Sequence, residues 1–313
     1  MGKRILVSLG GNALGTHFDD LVDSVGVIAE PIAGLIKDGH EVVVCHGNGP
    51  QVGYIKTSLD KGNNEGGVID FTKTLPLADC VAMSQSYIGY HLQNAIENQL
   101  HKLGIKKEVA TVVTRVEVDP KDPLFKNPTK PIGAFFTKEE SQALVDAGKT
   151  VIEDSGRGYR EVVASPIPQD VLEKETILAM MNSGAVVIAG GGGGIPVYTE
   201  NGWTKKIDAV IDKDRVSVML AAMVEADSLV ILTGVEKVAI NFNKPDQKDL
   251  DRITLAECDE YIAQGQFPAG SMLPKIESAM AFVKSGKGRS TLITSLDKLV
   301  EGLRGETGTL IVE

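Results

Sequence analysis

Short apolar runs alternate with amphipathic stretches in the first third of the chain. The apolar runs have the near-continuous hydrophobicity of strands buried on both faces of a sheet, and they comprise residues 5–9, 42–45 and 109–114. The stretches between them carry apolar residues at helical spacing and stop at glycine, which is typical of a helix C-terminus; they comprise residues 21–37 and 72–103. This βαβαβ order predicts a parallel sheet with right-handed crossovers.

The alternation breaks between Val116 and Pro168, where six prolines interrupt the chain. We expect a small lid or sub-lobe of short strands and loops here, with one strand at residues 162–164. Alternation then resumes. The pattern predicts helices at 169–182, 215–225, 255–264 and 275–285, strands at 186–189, 229–233, 291–294 and 309–312, a short helix before the last strand, and a polar hairpin at 198–206.

Three of the predicted strands run directly into glycine. They are followed by Gly10-Gly11, by His46-Gly47-Asn48-Gly49, and by five consecutive glycines at 190–194. Glycine at a strand end lets backbone N–H groups approach a ligand, and a helix that begins just after it favours an anion. Because ligands collect at the carboxyl ends of parallel strands, these ends predict one pocket suited to phosphate, which His46 could line.

Two better-known phosphate motifs fit this chain poorly. A dinucleotide fingerprint needs G-x-G-x-x-G at the start of a helix, but here its last position falls on Ile195 or Pro196 and a hairpin follows. Residues 148–150 resemble the end of a Walker A loop, but its first position is Ala143 and Gly148 ends a helix. Tight turns at the sheet edge are the alternative interpretation of each glycine run.

Composition narrows the class of protein. The 313 residues carry a net charge of −10 and 42% hydrophobic residues, which allows one large α/β unit or two lobes. The negative charge argues against nucleic-acid or membrane surfaces, so an anionic substrate needs a local positive cluster. Cys45, Cys80 and Cys258 have no metal-binding spacing and fit buried thiols in a reducing compartment. No signal segment or membrane-spanning run is visible, and we expect a cytoplasmic protein.

Three lysines are candidates for that positive cluster. Lys213 lies at the start of a helix that Asp212 or Asp214 could cap, and Lys275 follows a proline in the first turn of another helix. A cation at a helix N-terminus is locally unfavourable, so both positions indicate an anionic neighbour. Lys130 precedes a proline that restricts it to extended conformations. A solvated surface lysine is the alternative interpretation of each one alone.

These segments occur together in the carbamate kinases, and the chain resembles that family within the amino acid kinase superfamily. The matching segments follow in order along essentially the whole chain: 9–14 (LGGNAL), 46–53 (HGNGPQVG), 127–133 (NPTKPIG), 153–160 (EDSGRGYR), 191–197 (GGGGIPV), 210–214 (VIDKD), 232–235 (LTGV) and 270–277 (GSMLPKIE). Ser8 stands where the related acylglutamate kinases carry lysine, and the segment 127–133 would supply a replacement cation, Lys130.

The resemblance implies an α/β three-layer sandwich with a mainly parallel eight-stranded sheet, a protruding sub-lobe at about residues 116–167, and a homodimer. One kinase domain, residues 1–313, would comprise a carbamate-binding half at 1–200 and a nucleotide-binding half at 201–313. The implied reaction is reversible phosphoryl transfer between ATP and carbamate, running toward ATP in arginine or other carbamoyl-phosphate-yielding catabolism. Mg²⁺ would enter with the nucleotide, held by phosphates and water rather than by a protein metal site.

The resemblance also implies roles for individual residues. Lys213 and Lys275 would bind the nucleotide phosphates and the transferred phosphoryl group, Asp214 would orient both, and Lys130 would reach in from the sub-lobe. Carbamate and its phosphate would be held by Gly10, Gly11, Asn12, Gly47, Asn48 and Gly49. Further nucleotide contacts would come from Gly191, Gly192, Thr233, Gly234, Val235 and Met272.

The chain departs from the family pattern in three places. Residues 15–29 lack the usual amide-containing helix start, Glu161 replaces a common basic residue, and Ala164 replaces a common proline. These departures leave the pathway, the dimer surface and any effector response open. Two other functions also stay open: a sister kinase with another small acid as acceptor, and a non-catalytic ligand-binding protein of the same fold.

Overall fold

The computed structural model describes residues 2–15, 18–62, 74–154, 156–269 and 271–313, with side chains at all of these except positions 12, 18, 19 and 134. In these ranges the strands are β1 (Arg4–Leu9), β2 (Glu41–His46), β3 (Val109–Thr111), β4 (Arg115–Val118), β5 (Lys130–Phe136), β6 (Thr150–Glu153), β7 (Tyr159–Val163), β8 (Pro168–Val171), β9 (Val186–Ile188), β10 (Ile195–Glu200), β11 (Trp203–Lys206), β12 (Ser228–Thr233), β13 (Val238–Ile240), β14 (Lys248–Leu250), β15 (Arg252–Thr254), β16 (Ser290–Ser295) and β17 (Thr309–Val312).

The helices of the described ranges are α1 (Phe18–Lys37), α2 (Gln51–Gly62), α3 (Leu77–Lys102), α4 (Lys138–Asp146), α5 (Lys174–Asn182), α6 (Lys213–Met223), α7 (Leu255–Ala263), α8 (Leu273–Lys284) and α9 (Leu299–Leu303). None of them is both long and apolar enough to cross a bilayer.

The central sheet has eight strands in the order β15-β17-β16-β12-β1-β2-β9-β3. All neighbouring pairs in it are parallel except β16 and β17. The mainly parallel eight-stranded sheet is therefore confirmed. The sequence-adjacent strands β1 and β2 are also neighbours in space, whereas β9 lies between β2 and the edge strand β3, so the chain inserts a strand between these two after the sub-lobe region.

Side chains alternate between the two faces of this sheet and form two cores. On β1, Leu6 belongs to one core, while Ile5 and Val7 belong to the other. Helices α5, α6 and α8 cover the first face, and α1, α3 and α9 cover the second. Because both faces are covered by helices, the strands read as continuous apolar runs, and the predicted three-layer sandwich is confirmed.

The proline-rich stretch leaves this sandwich through a second sheet. Strands β4 and β8 pair with each other and with the hairpin β10–β11 in the order β11-β10-β4-β8. Between β4 and β8 the chain forms a three-stranded antiparallel sheet, β5-β7-β6, together with helix α4. We call residues 130–163 the lobe. It corresponds to the centre of the predicted sub-lobe, whereas the division of the chain into halves at residue 200 stays a prediction.

Several element predictions need correction. The helix predicted at 169–182 begins at Lys174, because residues Pro168–Val171 form β8 and pair with β4. The helix predicted at 72–103 begins at Leu77, with its first two residues outside the described ranges. Helix α2 was not predicted, since Gln51, Val52, Gly53 and Asp60 are its buried residues and give little apolar periodicity.

The lobe contacts helix α2 through two glycines. A Cβ built on Gly53, which is buried in α2, would lie 2.8 Å from the Cα of Gly133 on β5. Real Cβ atoms do not approach a backbone carbon this closely. Glycine at position 53 therefore sets how near the lobe lies to α2.

We expect Gly53→Ala to lower the free energy of unfolding by about 1–3 kcal/mol, because the new methyl group must push the lobe backbone away. The matched control is Gly26→Ala in α1, where a Cβ meets nothing within 4 Å. That control should be neutral or stabilise by up to about 1 kcal/mol, since alanine is the better helix former. Urea unfolding of the three proteins checks this, and equal stability of both variants would contradict it.

Candidate active site

Three glycine-containing turns meet at one edge of the central sheet. They follow β1, β2 and β9, which are neighbours and parallel, so their carboxyl ends lie side by side. The first two turns pack backbone against backbone, because a Cβ on Gly47 would lie 2.9 Å from the N of Gly11. The first turn also lies beside β12, since a Cβ on Gly10 would lie 3.1 Å from the carbonyl oxygen of Leu232. The convergence predicted from the sequence is thus confirmed.

The five-glycine run forms a tight turn that accepts hydrogen bonds from, and donates them to, buried side chains. Thr114 Oγ1 accepts the N–H of Gly190 at 2.9 Å, and Gln85 Nε2 donates to the carbonyl oxygen of Gly191 at 2.8 Å. A Cβ on Gly192 would lie 2.5 Å from Asn48 Nδ2. Gly191 and Gly192 therefore contact the turn after β2, and their predicted contact with a nucleotide stays a prediction.

Asp214 joins the two lysines that the sequence placed at helix starts. Lys213 Nζ lies 2.6 Å from Asp214 Oδ1, and Lys275 Nζ lies 3.5 Å from Asp214 Oδ2. Asp214 is buried, and both lysines are partly exposed. Lys213 opens α6, and Lys275 stands in the first turn of α8. The carboxylate supplies the anionic neighbour that two cations at helix N-termini require.

Ser8 and Ser217 complete the surroundings of Lys213, and the sequence interpretation gave neither of them a role in the site. Lys213 Nζ donates to Ser8 Oγ at 2.7 Å, and Ser8 Oγ lies 2.8 Å from Ser217 Oγ. Both serines are fully buried. Residues 213 and 217 are four positions apart and therefore lie on one helix face. That spacing is the sequence signal that could have identified Ser217. An ammonium group has three N–H donors, and the described contacts of Lys213 use two.

Lys130 comes to the same helix end from the lobe. Its Nζ lies 2.6 Å from Asp212 Oδ2. Asp212 is the N-cap of α6, and its Oδ1 accepts the N–H of Asp214 at 2.9 Å. Of the two capping candidates, Asp212 is therefore the cap. The described part of the chain brings all four predicted catalytic residues to the starts of α6 and α8.

The lysines keep both aspartates ionised. Burial disfavours the charged form of Asp214, but Lys213 and Lys275 outweigh it and hold the pKa of Asp214 below its ordinary value. Burial also opposes ionisation of Asp212, yet Lys130 and the N–H of Asp214 lower its pKa to about 2. At neutral pH the cluster carries three positive and two negative charges, a net charge of +1. It can therefore attract an anion.

The predicted nucleotide contacts lie at the end of β12 and before α8. Thr233 ends β12 and is partly buried, and Gly234 is exposed. Met272 precedes α8 and packs against the core under the first sheet face. The side chain of Asn12 lies outside the described residues. The binding roles of these residues stay predictions.

His46 is buried beneath the glycine turns and is neutral. Its Nδ1 lies 2.7 Å from the carbonyl oxygen of Gly47, so that nitrogen carries the proton of the neutral ring. Burial lowers the pKa of His46 to about 4, a shift that the hydrogen bond to Gly47 opposes and nearby Lys213 reinforces. A Cβ on Gly191 would lie 2.5 Å from its Nε2. His46 therefore supports the turns and carries no charge at neutral pH.

Comparison with known proteins gives one consistent result. The model of the amino acid kinase family matches residues 3–295. The carbamate kinase-like protein YqeA of Escherichia coli (strain K12) is 51% identical over 313 residues, with 100% of both chains covered. The carbamate kinase of Clostridium perfringens (strain 13 / Type A) is 50% identical and covers 99% of this chain and 100% of its own. The structure of carbamate kinase from Giardia lamblia bound to AMP-PNP is 39% identical, with a TM-score of 0.89 over 99% of this chain and 98% of that one.

The burial of His46 predicts that the protein loses stability in mild acid. The unfolded chain takes up a proton below about pH 6.5, whereas folded His46 resists protonation down to about 4. The unfolding free energy should therefore fall by about 2 kcal/mol between pH 7 and pH 5. Urea unfolding should show a flatter pH dependence for His46→Asn, while the exposed control His101→Asn keeps the wild-type slope. An unchanged slope in His46→Asn would refute the assignment.

Proposed function

This chain belongs to the amino acid kinase family, and we propose that it catalyses the reversible transfer of a phosphoryl group between ATP and carbamate, with ADP and carbamoyl phosphate as the other pair. The observation that carries the proposal is the joining of Lys213 and Lys275 by the buried Asp214, with Lys130 paired to Asp212 two residues before it. Similarity to carbamate kinases over the full chain supports the choice of acceptor.

Phosphoryl transfer requires in-line positioning and neutralisation of charge on the moving group, with little covalent help from the protein. The lysine cluster would meet the second requirement, since it carries a net charge of +1 and begins beside the turn after β9, where a Cβ on Gly193 would lie 3.3 Å from the N of Lys213. Carbamate is already an oxyanion and needs no strong general base. The neutral, buried His46 is consistent with a site that has no such base.

The nucleotide is proposed to bind over the carboxyl end of β12 and the start of α8. Lys213 and Lys275 would contact its phosphates and the transferred phosphoryl group. Asp214 would keep both ammonium groups oriented, because each of its oxygens accepts one of them. Thr233 and Met272, with Gly234, Val235, Gly191 and Gly192, would bind the rest of the nucleotide.

Carbamate is proposed to bind in the turns after β1 and β2. Backbone N–H groups of Gly10, Gly11 and Gly49 would hold its oxygens, together with the side chains of Asn12 and Asn48. The N–H of Gly47 donates to the carbonyl oxygen of Leu9 at 2.9 Å, so Gly47 would line the carbamate site without donating that N–H. Gln51 supports this arrangement, since it is fully buried and its Nε2 donates to the carbonyl oxygen of Leu14 at 3.1 Å. It thus ties the start of α2 to the turn after β1. In this scheme residues 1–200 bind carbamate and residues 201–313 bind the nucleotide.

Mg²⁺ is proposed to accompany the nucleotide. Among the described residues no group of three His, Cys, Asp or Glu side chains could hold a metal ion, and Asp212 and Asp214 are both engaged by lysines. Such a site fits an ion that keeps phosphate and water ligands. When bound, Mg²⁺ neutralises phosphate charge.

Three further features stay proposals. We infer a homodimer and a reaction that runs toward ATP on the resemblance to the carbamate kinases. A cytoplasmic location is supported by the three cysteines, all of which are free and buried, because unpaired thiols are typical of reducing compartments.

Removal of one lysine tests the central assignment. We expect Lys213→Ala and Lys275→Ala to lower the rate of ATP formation from carbamoyl phosphate and ADP on the order of 10³-fold, because each removes a cation that stabilises transferred charge. A coupled assay for ATP measures this. The control Lys206→Ala removes an exposed lysine that pairs with Asp79 on α3, and it should retain normal turnover.

Near-normal turnover in both lysine variants would overturn the assignment. Wild-type turnover with acetyl phosphate or acetylglutamyl phosphate, but not with carbamoyl phosphate, would identify a sister kinase instead. No turnover with any of the three would favour a ligand-binding protein.

The metal proposal predicts separate effects of chelation on activity and on folding. EDTA should abolish ATP formation, and excess Mg²⁺ should restore it, because the nucleotide phosphates then lack their counter-ion. The melting temperature of the nucleotide-free protein should not change in EDTA, since the described residues offer no metal cluster. Full activity in EDTA would contradict the proposal.

A further inference from the structure

The contact between Lys130 and Asp212 joins the lobe to the main body at the site itself. Lys130 is the first residue of β5, and its Nζ lies 2.6 Å from Asp212 Oδ2. The two side chains are about one-third and one-quarter exposed. Asp212 immediately precedes Lys213 and Asp214. Lys130 of the lobe is therefore bound one residue before Lys213 and two residues before Asp214.

The two oxygens of the Asp212 carboxylate make different contacts. Its Oδ1 accepts the N–H groups of Asp214 at 2.9 Å and Arg215 at 3.4 Å, which fixes its own position at the start of α6. Its Oδ2 accepts Lys130. Because the backbone of α6 fixes this carboxylate, the ammonium group that binds it is held in register with α6.

The ion pair with Asp212 restrains Lys130 on the side where the lysine borders a cleft. A cleft of about 940 Å³ separates the lobe from α6 and α8 and is lined by Lys130, Pro131, Asp212, Arg215, Pro274 and Glu277 among others. On that side the lysine faces open volume rather than packed side chains. A free lysine side chain must lose rotamer entropy before its ammonium group can act at a defined point. The ion pair restricts that freedom before substrate binds.

The contact also leaves donors for a substrate. An ammonium group has three N–H donors, and the described hydrogen bonds of Lys130 Nζ use one, to Asp212. Asp214 binds Lys213 and Lys275 in the same way, because each ammonium group donates to one Asp214 oxygen and keeps further N–H donors. Asp212 and Asp214 are thus two anchors on one helix turn that serve three lysines.

We propose that Asp212 is a positioning residue for Lys130, whose remaining N–H donors bind the phosphoryl group of carbamoyl phosphate. The assignment rests on the proposed reaction and adds to it a residue that touches no substrate. Asp212 acts through Lys130, and its cap of α6 is a separate contribution. The two contributions can be separated by substitution, because asparagine and serine cap helices as well as aspartate does but carry no charge and cannot form an ion pair with an ammonium group.

The test compares Asp212→Asn with the wild type, with Lys130→Met and with the double variant. We expect Asp212→Asn to lower kcat/KM for carbamoyl phosphate on the order of tenfold while KM for ADP and the melting temperature stay near wild type. In the Lys130→Met background the same substitution should have no further effect. Asp212→Ser is the second cap-retaining variant and should behave alike. The matched control is Asp79→Asn, which removes a surface ion pair of the same 2.6 Å length.

Two kinetic results would overturn the proposal. One is activity of Asp212→Asn within about twofold of wild type. The other is an equal loss in the wild-type and Lys130→Met backgrounds, which would show that Asp212 acts through α6 rather than through Lys130.

A second measurement keeps this inference separate from the proposed reaction. Acetic anhydride labels lysine amines, and mass spectrometry of the peptides reports the labelling rate of Lys130. We expect that rate to rise several-fold in Asp212→Asn, because the ammonium group is released, and to stay unchanged in Asp79→Asn. If the wild type fails to turn over carbamoyl phosphate, the proposed function fails, and the labelling decides the placement of Lys130. Unchanged labelling in Asp212→Asn would overturn the placement.

Discussion

The site depends on the buried carboxylate of Asp214. Two lysines stand in the first turns of two helices, where each opposes the helix dipole, and this carboxylate accepts both of them. Without it, Lys213 and Lys275 would repel each other at the same edge of the sheet. The contact between Asp214 and Lys275 also joins α6 to α8. The same ion cluster therefore stabilises the fold and sets the charge of the site.

The sheet order explains why this cluster lies beside the glycine turns. Strands β12, β1, β2 and β9 are consecutive and parallel, so the turns that follow them share one edge. The turns after β1 and β2 are in backbone contact at Gly11 and Gly47, which leaves no room for a side chain. The same glycines therefore allow the two turns to pack against each other.

The lobe is tied to the main body by a few specific contacts close to the site. Gly53 and Gly133 set its approach to α2, and Lys130 binds Asp212. Directly after the lobe, the N–H of Val210 donates to the carbonyl oxygen of Ala164. The departure from the family pattern at Ala164 thus falls on a contact made by the backbone, which alanine provides. Glu161, a departure within the lobe, lies 3.6 Å from Lys149 and pairs with a residue of the lobe itself.

The sequence by itself determined the buried strands, most of the helices and the convergence of the glycine turns, because apolar periodicity and glycine at strand ends are local signals. It missed α2, which buries few apolar side chains, and it extended a helix over residues 169–171, which belong to β8 and its pairing with β4. Only the tertiary structure decided that Ser8 contacts Lys213, that Ser217 contacts Ser8 and that Asp212 binds Lys130. The reason is physical: these partners lie up to 209 positions apart, and only the packing of the sheet and lobe brings them within hydrogen-bond distance.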